Sequence, residues 1–185
     1  MRVISGTAKS LRLKTIEGNN TRPTTDRIKE TLFNMINDYM YDCVFVDLFA
    51  GSGGIGIEAL SRGAKKAFFV DSSRQCAACI KDNLIHTGLK ENALIICKEI
   101  ISGIKEIESS GETADVIFMD PPYDNDFEKN VLDFLKSSPI VSKDTLIIVE
   151  ASVGTKFEYL NDFGYETVKE KKYKTNKHVF LRKAD

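Results

Sequence analysis

Val44-Phe45-Val46-Asp47 is a short apolar run that ends in a carboxylate, and Gly51-Ser52-Gly53-Gly54-Ile55-Gly56 follows at once. Apolar, β-branched and aromatic residues in a short run read as a buried strand. The glycines permit a tight turn and a close backbone approach to whatever lies above it. Ile57–Arg62 then reads as a helix that Gly63 ends. A strand that turns through glycines straight into a helix is the first half of a strand-helix-strand unit. Such units build parallel sheets.

The chain continues in the same alternation. Strand-like runs are Ala67–Asp71, Ala93–Cys97, Asp115–Met119 and Leu146–Glu150. Helical patterns fill the gaps at 73–87, Ile100–Ile107 and Phe127–Lys136. Near-continuous apolar strands separated by helices imply a parallel sheet covered on both faces. The end of the chain reads as two strands, Tyr165–Tyr173 and His178–Arg182, joined by a turn at Thr175-Asn176. The beginning reads as a small hairpin of Arg2–Ser5 and Leu11–Ile16, with Gly18-Asn19-Asn20 breaking it. A helix opens at Arg22–Asp26, capped by Thr24 or Thr25. Ile28, Leu32, Met35, Ile36 and Tyr39 lie on one of its faces and pack it against the main sheet. Residues 1–23 are thus expected to be a basic hairpin extension, and 24–185 the main domain.

Open parallel sheets bind ligands at the carboxyl ends of their strands, near the point where strand order reverses. Asp47, Asp71, the residues after Cys97 and Asp120 all fall at such ends. Gly51, Gly53 and Gly56 spell GxGxxG, and Asp71 lies where a carboxylate would meet ribose hydroxyls. That much fits a nicotinamide dinucleotide as well as S-adenosylmethionine. Asp47 separates the two. A dinucleotide brings a pyrophosphate to this turn, which a carboxylate would repel. S-adenosylmethionine brings an ammonium, which Asp47 can attract directly or through water.

Asp120-Pro121-Pro122-Tyr123 follows the strand Val116–Met119. The prolines fix the backbone and donate no hydrogen bond. An exocyclic amine on a base is a poor nucleophile, because its lone pair is delocalised into the ring. If the Asp120 carboxylate and the Pro121 carbonyl accept its two N–H bonds, the nitrogen moves toward tetrahedral geometry and the lone pair is freed. Catalysis would then rest on positioning and electrostatics. Tyr123 can stack on a base taken out of its helix. No cysteine stands where a covalent route to carbon methylation needs a nucleophile.

Four blocks make the chain resemble the bacterial 16S rRNA guanine-N2 methyltransferases of the RsmD type over nearly its whole length. They are Arg2–Gly6; Arg22–Arg27 leading into Glu30–Asn34; Asp47–Gly53 with Glu58–Ala64; and Asp120–Tyr123. The resemblance implies a Rossmann-like class I methyltransferase of the α/β class. Its seven-stranded sheet would be mostly parallel, with an antiparallel last strand. It implies methyl transfer from S-adenosylmethionine, leaving S-adenosylhomocysteine, to the 2-amino group of one guanine in small-subunit rRNA. The substrate would be an assembled or partly assembled subunit, and the enzyme a monomer that needs no metal. Asp120, Pro121, Pro122 and Tyr123 are then catalytic. Asp47, Phe49, Ala50, Gly51, Ser52, Gly53 and Asp71 hold the cofactor, with Glu99 placed loosely against its adenine. Three positions depart from the family's habits. Ser10 and Lys174 stand where glycine is frequent, and Asp71 where glutamate is more usual.

The charge distribution points the same way. Residues 1–29 carry seven basic and two acidic side chains, and residues 169–185 do likewise, so the body between them is strongly acidic. Two basic ends suit a polyanion if they meet in space. Arg2, Arg22, Arg27, Lys172 and Lys174 are the candidate RNA contacts. His86 and His178 show no partner constellation in the sequence and read as structural. Cys76 and Cys79 form a CxxC within a helical pattern. They lack a second ligand pair, so they read as packing residues and not as a zinc site. No apolar run approaches the ~20 residues that cross a membrane, and the first residues lack a signal-peptide core; the expected location is cytoplasmic. The competing readings are a DNA amino methyltransferase, which would usually need a target-recognition region, an NAD(P)-binding oxidoreductase, a protein glutamine methyltransferase, in which asparagine typically replaces Asp120, and a non-enzymatic RNA-binding factor.

Overall fold

The computed structural model of the chain describes residues 1–16, 26–122 and 126–184. The run before the glycines forms β1 (Val44–Leu48), buried at every position, as a strand covered on both faces must be. The other apolar runs become β2 (Lys66–Asp71), β3 (Ala93–Cys97), β4 (Ala114–Met119) and β5 (Val141–Ser152). β6 (Tyr165–Lys172) and β7 (Asn176–Lys183) close the chain as a hairpin. Together they form one seven-stranded sheet in the order β3-β2-β1-β4-β5-β7-β6. β1 to β5 run parallel. β7 lies antiparallel to β5, and β6 antiparallel to β7. Strand order reverses between β1 and β4, and that is where a ligand crevice opens.

Side chains alternate across the sheet and define two cores. Phe45, Phe69, Phe118, Ile148 and Phe180 face one side. Against them pack α1 (Asp26–Met35), α2 (Gly54–Ser61) and α3 (Arg74–Thr87), through Leu32, Phe33, Ile57 and Ile80. Val46, Phe68, Ile117, Ile147 and Leu181 face the other side. There α4 (Ile100–Ser109) and α5 (Phe127–Leu135) cover them with Ile104, Ile107, Leu132 and Leu135. The expected packing of the first helix on the sheet is present: Phe33 stacks on Phe45 at 6.3 Å between ring centroids. Each such buried ring contributes roughly 1.5–3 kcal/mol relative to exposure.

Four details differ from the sequence reading. The N-terminal hairpin pairs only briefly: Arg2 and Arg12 form an isolated antiparallel bridge, with the Val3 N–H on the Leu11 carbonyl at 2.9 Å and the Leu13 N–H on the Met1 carbonyl at 3.1 Å, in place of two full strands. Gly6 and Ser10 both take positive φ in the turn between its two arms. Val3, Ala8 and Leu13 are nonetheless buried in the same core as α1 and α2. Second, α2 begins at Gly54 instead of Ile57. The Asp47 carboxylate accepts the Gly56 N–H at 2.8 Å, which secures the helix start despite its glycines. Third, β5 runs from Val141, five residues before the expected start, although the ladder with β4 shifts register between Ala114 and Val116. Fourth, β3 lies at the sheet edge with only Ile96 buried and Cys97 exposed, although its apolar run suggested a strand covered on both faces. The expected caps Thr24 and Thr25 lie outside the described residues.

Lys29 counted toward the basic N-terminal end, yet it is fully buried. Its ammonium lies 3.3 Å from Glu58 and donates to the Arg2 carbonyl at 2.6 Å. Glu58, also fully buried, accepts from the backbone of Ile4 at 2.8 Å and Ser5 at 3.0 Å, and from Arg62 Nε at 2.8 Å. One carboxylate on α2 therefore ties the N-terminal segment to α1 and to the glycine loop's own helix.

Candidate active site

The glycine turn sits at the carboxyl end of β1. Gly53 N–H donates to the Ala50 carbonyl at 2.7 Å, and Ala50 N–H to the Val70 carbonyl at 3.1 Å, which pins the turn to β2. Gly51 has φ +56°, and a side chain there would meet nothing within 4 Å, so the turn opens onto free space. Gly56 has a different task. A Cβ there would lie 2.4 Å from Phe69, so glycine is what lets α2 approach the sheet. Asn83 on α3 braces the turn from behind, donating to the Ser52 carbonyl at 3.0 Å. Phe49 holds φ +60°, and its half-buried ring meets Phe127 edge-on at 6.1 Å.

Asp71 ends β2 beside this turn. Its two oxygens accept the Gly51 N–H and the Ser73 N–H, each at 2.9 Å. Each carboxylate oxygen has two acceptor positions, so capacity for a vicinal diol remains. Asp47 is 1% exposed. Burial pushes its carboxyl up to about 8, with Asp71 adding to the rise and the Gly56 N–H opposing it. Its hydrogen bond runs to the helix start, and a cation brought beside it would draw it toward the ionised form. Glu99 is exposed at the start of α4, past the end of β3, and makes no capping bond. The open turn, the diol-ready carboxylate and a buried carboxyl that an ammonium would ionise fit S-adenosylmethionine. Asp47, Ala50–Gly53 and Asp71 are the residues that would hold it.

Asp120 follows β4 directly. Asp47 pairs with Phe118 across β1 and β4, which puts Asp120 two residues further along the same face. Pro121 is buried and Pro122 exposed. Burial raises the Asp120 carboxyl well above the usual range, and the nearby charges of Glu150 and Asp47 raise it further. A carboxyl in that condition can accept a proton and hold it. Tyr123 lies outside the described residues.

The candidate RNA contacts fall in two groups. Arg2 and Arg27 line one hollow together with Lys9, and Arg2 also pairs with Asp26 at 3.1 Å. Lys172 and Lys174 are exposed near the β6–β7 turn, where the Thr175 carbonyl accepts the Val153 N–H just past β5. Lys172 pairs with Glu170 at 3.2 Å. Arg22 lies outside the described residues. Cys76 and Cys79 are half-buried on α3, and burial raises both thiols. Among the described residues no cluster of three His, Cys, Asp or Glu side chains could hold a metal ion, and no helix is long and apolar enough to cross a membrane.

His86 is exposed in the last turn of α3. His178, by contrast, has the partners that the sequence did not reveal. It is fully buried, 3.0 Å from Glu150 Oε2 through Nε2 and 3.2 Å from the Tyr173 hydroxyl through Nδ1. Asn176 donates to the other oxygen of Glu150 at 2.5 Å. A sequence signal existed: Glu150 follows the apolar run Leu146–Val149 as Asp47 follows its own.

The sheet order, the glycine turn and the carboxylate ending β2 define a class I S-adenosylmethionine-dependent methyltransferase fold. A solved S-adenosylmethionine-dependent methyltransferase of Agrobacterium tumefaciens shares it at a TM-score of 0.64 and 18% identity, over 90% of this chain and 64% of that one. The chain belongs to the RsmD-type methyltransferase family, and the family described as Conserved hypothetical protein 95 matches residues 1–182. It is 34% identical over 151 residues to the ribosomal RNA small subunit methyltransferase D of Haemophilus influenzae, covering 81% of this chain and 78% of that one. The Escherichia coli structure yhhF superposes at a TM-score of 0.85 with 27% identity, over 100% of this chain and 98% of that one.

Proposed function

We propose that this chain transfers the methyl group of S-adenosylmethionine to the exocyclic 2-amino group of a guanine in small-subunit 16S rRNA. The observation that carries the reading is the placement of Asp120 and Pro121 beside Asp47, on the rim that the glycine turn opens onto. Kinship with a small subunit rRNA methyltransferase supports RNA over DNA as the substrate. Bound there, S-adenosylmethionine supplies an electrophilic methyl on a sulfonium. Asp120 Oδ and the Pro121 carbonyl accept the two N–H bonds of the target amine and aim its lone pair. Tyr123 covers the extracted base. Arg2, Arg22, Arg27, Lys172 and Lys174 meet phosphates, which gives affinity without sequence information. Residues 1–23 serve as the basic extension and 24–185 as the methyltransferase domain. The enzyme works as a monomer in the cytoplasm, on an assembled or partly assembled subunit.

The test is transfer of labelled methyl to unmethylated small-subunit particles, set beside naked rRNA and DNA, with mass mapping of the product. Label on one guanine N2 of the small-subunit RNA is expected. Asp120→Ala should abolish transfer while cofactor binding, read by calorimetry, persists. Label only in DNA or protein, or binding of NADH in place of S-adenosylmethionine, would overturn the proposal.

A further inference from the structure

Asp120 does not stand alone at the carboxyl edge of the sheet. Met119 pairs with Val149, so Asp120 and Glu150 are the next residues on neighbouring strands. Glu150 in turn pairs with His178 across β5 and β7. Phe118, Ile148 and Phe180 share one core cluster, and the period of two puts Asp120, Glu150 and His178 on that same face. The three form a row. His178 is walled by Phe118 at 6.0 Å and Phe180 at 6.5 Å, both edge-on. With Glu150 as an acceptor, Nε2 carries the ring proton and Nδ1 accepts the Tyr173 hydroxyl. Asn176 occupies the second oxygen of Glu150. Glu150 is thus fixed in place on both oxygens, in low-dielectric surroundings where its charge is felt strongly.

A buried polar quartet is costly, and apolar residues in its place would often be as stable. Its position at the reacting edge gives it another use. We infer that Glu150, held by His178 and Asn176, is a positioning residue for methyl transfer: its charge beside Asp120 determines when Asp120 takes up the proton that the methylated amine must lose. The inference rests on the amino-methyl-transfer reading above. In that step the amine nitrogen bonds to the methyl carbon, and the methyl–sulfur bond breaks with its electron pair staying on sulfur. The nitrogen, now positive, gives its proton to Asp120, which releases it to water when product leaves. The charges facing Asp120 are Glu150 from β5 and Asp47 from β1, with His178 of β7 and the Tyr173 hydroxyl behind Glu150. The raised carboxyl at Asp120 is consistent with this arrangement.

The experiment compares wild type, Glu150→Gln and Tyr173→Phe in single-turnover methyl transfer to small-subunit particles across pH, with cofactor affinity measured in parallel. Removing the like charge should move the acid limb of the Glu150→Gln profile about one unit lower and slow the plateau roughly tenfold, since a weaker base accepts the proton less readily. Cofactor affinity should hold. Tyr173→Phe removes the hydroxyl that holds the His178 ring against Glu150, which loosens the carboxylate beside Asp120, so its limb should move the same way by less. If Glu150→Gln does not fold, Tyr173→Phe carries the test. Wild-type transfer with limbs unmoved in variants that still bind cofactor would overturn this inference alone. A wild type that leaves small-subunit RNA unlabelled would overturn the substrate reading itself.

Discussion

Replacing Glu58 by alanine should cost more than any surface substitution in this chain. Glu58 accepts from Ile4, Ser5 and Arg62 and faces Lys29 at 3.3 Å, with neither Glu58 nor Lys29 exposed. Burial lowers the pKa of Lys29, and Glu58 is the main influence opposing that. Without the carboxylate the ammonium keeps, among the described residues, the Arg2 carbonyl and the charge of Asp26, and two backbone N–H groups lose their acceptor. Removing one partner of a buried ion pair costs about 3–5 kcal/mol. An unsatisfied buried donor adds about 1–3 kcal/mol, less where water enters, so about 5 kcal/mol is the expected loss. At roughly 2–4 °C per kcal/mol for a chain of this size, Tm should fall by about 10–20 °C. Calorimetric melting measures it, and a Glu58→Gln with Lys29→Met cycle isolates the pair. The second substitution should be far less harmful on the first background than alone. A Glu58→Ala protein melting within about 2 °C of wild type would refute the reasoning, because a loss that small fits an exposed carboxylate.

Two further outcomes follow from backbone and charge. Ser10 sits at φ 72°, a conformation that costs a non-glycine residue about 1–2 kcal/mol. Ser10→Gly should stabilise by about 0.5–1 kcal/mol after the extra chain entropy of glycine is counted, read as a higher urea midpoint with unchanged slope; a lower midpoint would mean that the Ser10 side chain contributes more than its backbone costs. Asp47 is raised from 3.8 to about 8, so between those values the folded state binds a proton that the unfolded state does not. The stability it contributes is full below 3.8 and is lost as pH rises through about 8. Asp47→Asn should flatten that decline in urea titrations at successive pH values, and saturating cofactor, whose ammonium favours the ionised form, should flatten it in wild type. A variant with the wild-type slope would assign the pH dependence elsewhere.

The fold was largely legible because its signals are local. Val44–Asp47 and the glycines that follow declare a strand, a turn and a helix within a few residues, and Ala93–Cys97 reads as the very strand that forms. The rim was legible by the rule that parallel strands present their carboxyl ends together. What escaped the sequence depends on contacts between distant segments. Lys29 looks like surface charge until α1 is laid on the sheet beside Glu58, 29 positions away. His178 looks partnerless until β7 is threaded beside β5, because Glu150 is 28 positions earlier. The start of α2 was set three residues late because glycine is a poor helix former, and its stabilising partner, the Asp47 carboxylate, lies on another element.

The carboxyl edge of this sheet gathers Asp47, Asp71, Asp120 and Glu150, which would repel one another unless each were compensated. Helices that begin at that edge offer unpaired N–H groups and the positive end of a dipole. Asp47 takes such a donor from Gly56 in the first turn of α2, and Asp71 takes the N–H of Gly51 in the glycine turn and of Ser73 at the cap of α3. Glu150, on a strand followed by no helix at this edge, takes side-chain donors instead, from Asn176 and His178. Among the described residues Asp120 has no hydrogen-bond donor of its own, although it lies between two of these acidic groups. Its acceptor capacity is therefore held open beside neighbours that favour its protonation. That is the condition of a group kept for something that arrives with N–H bonds and leaves with one fewer. The same charge pattern predicts that Asp120→Asn, which removes the repulsion, stabilises the free protein while it slows methyl transfer. A variant both less stable and fully active would contradict it.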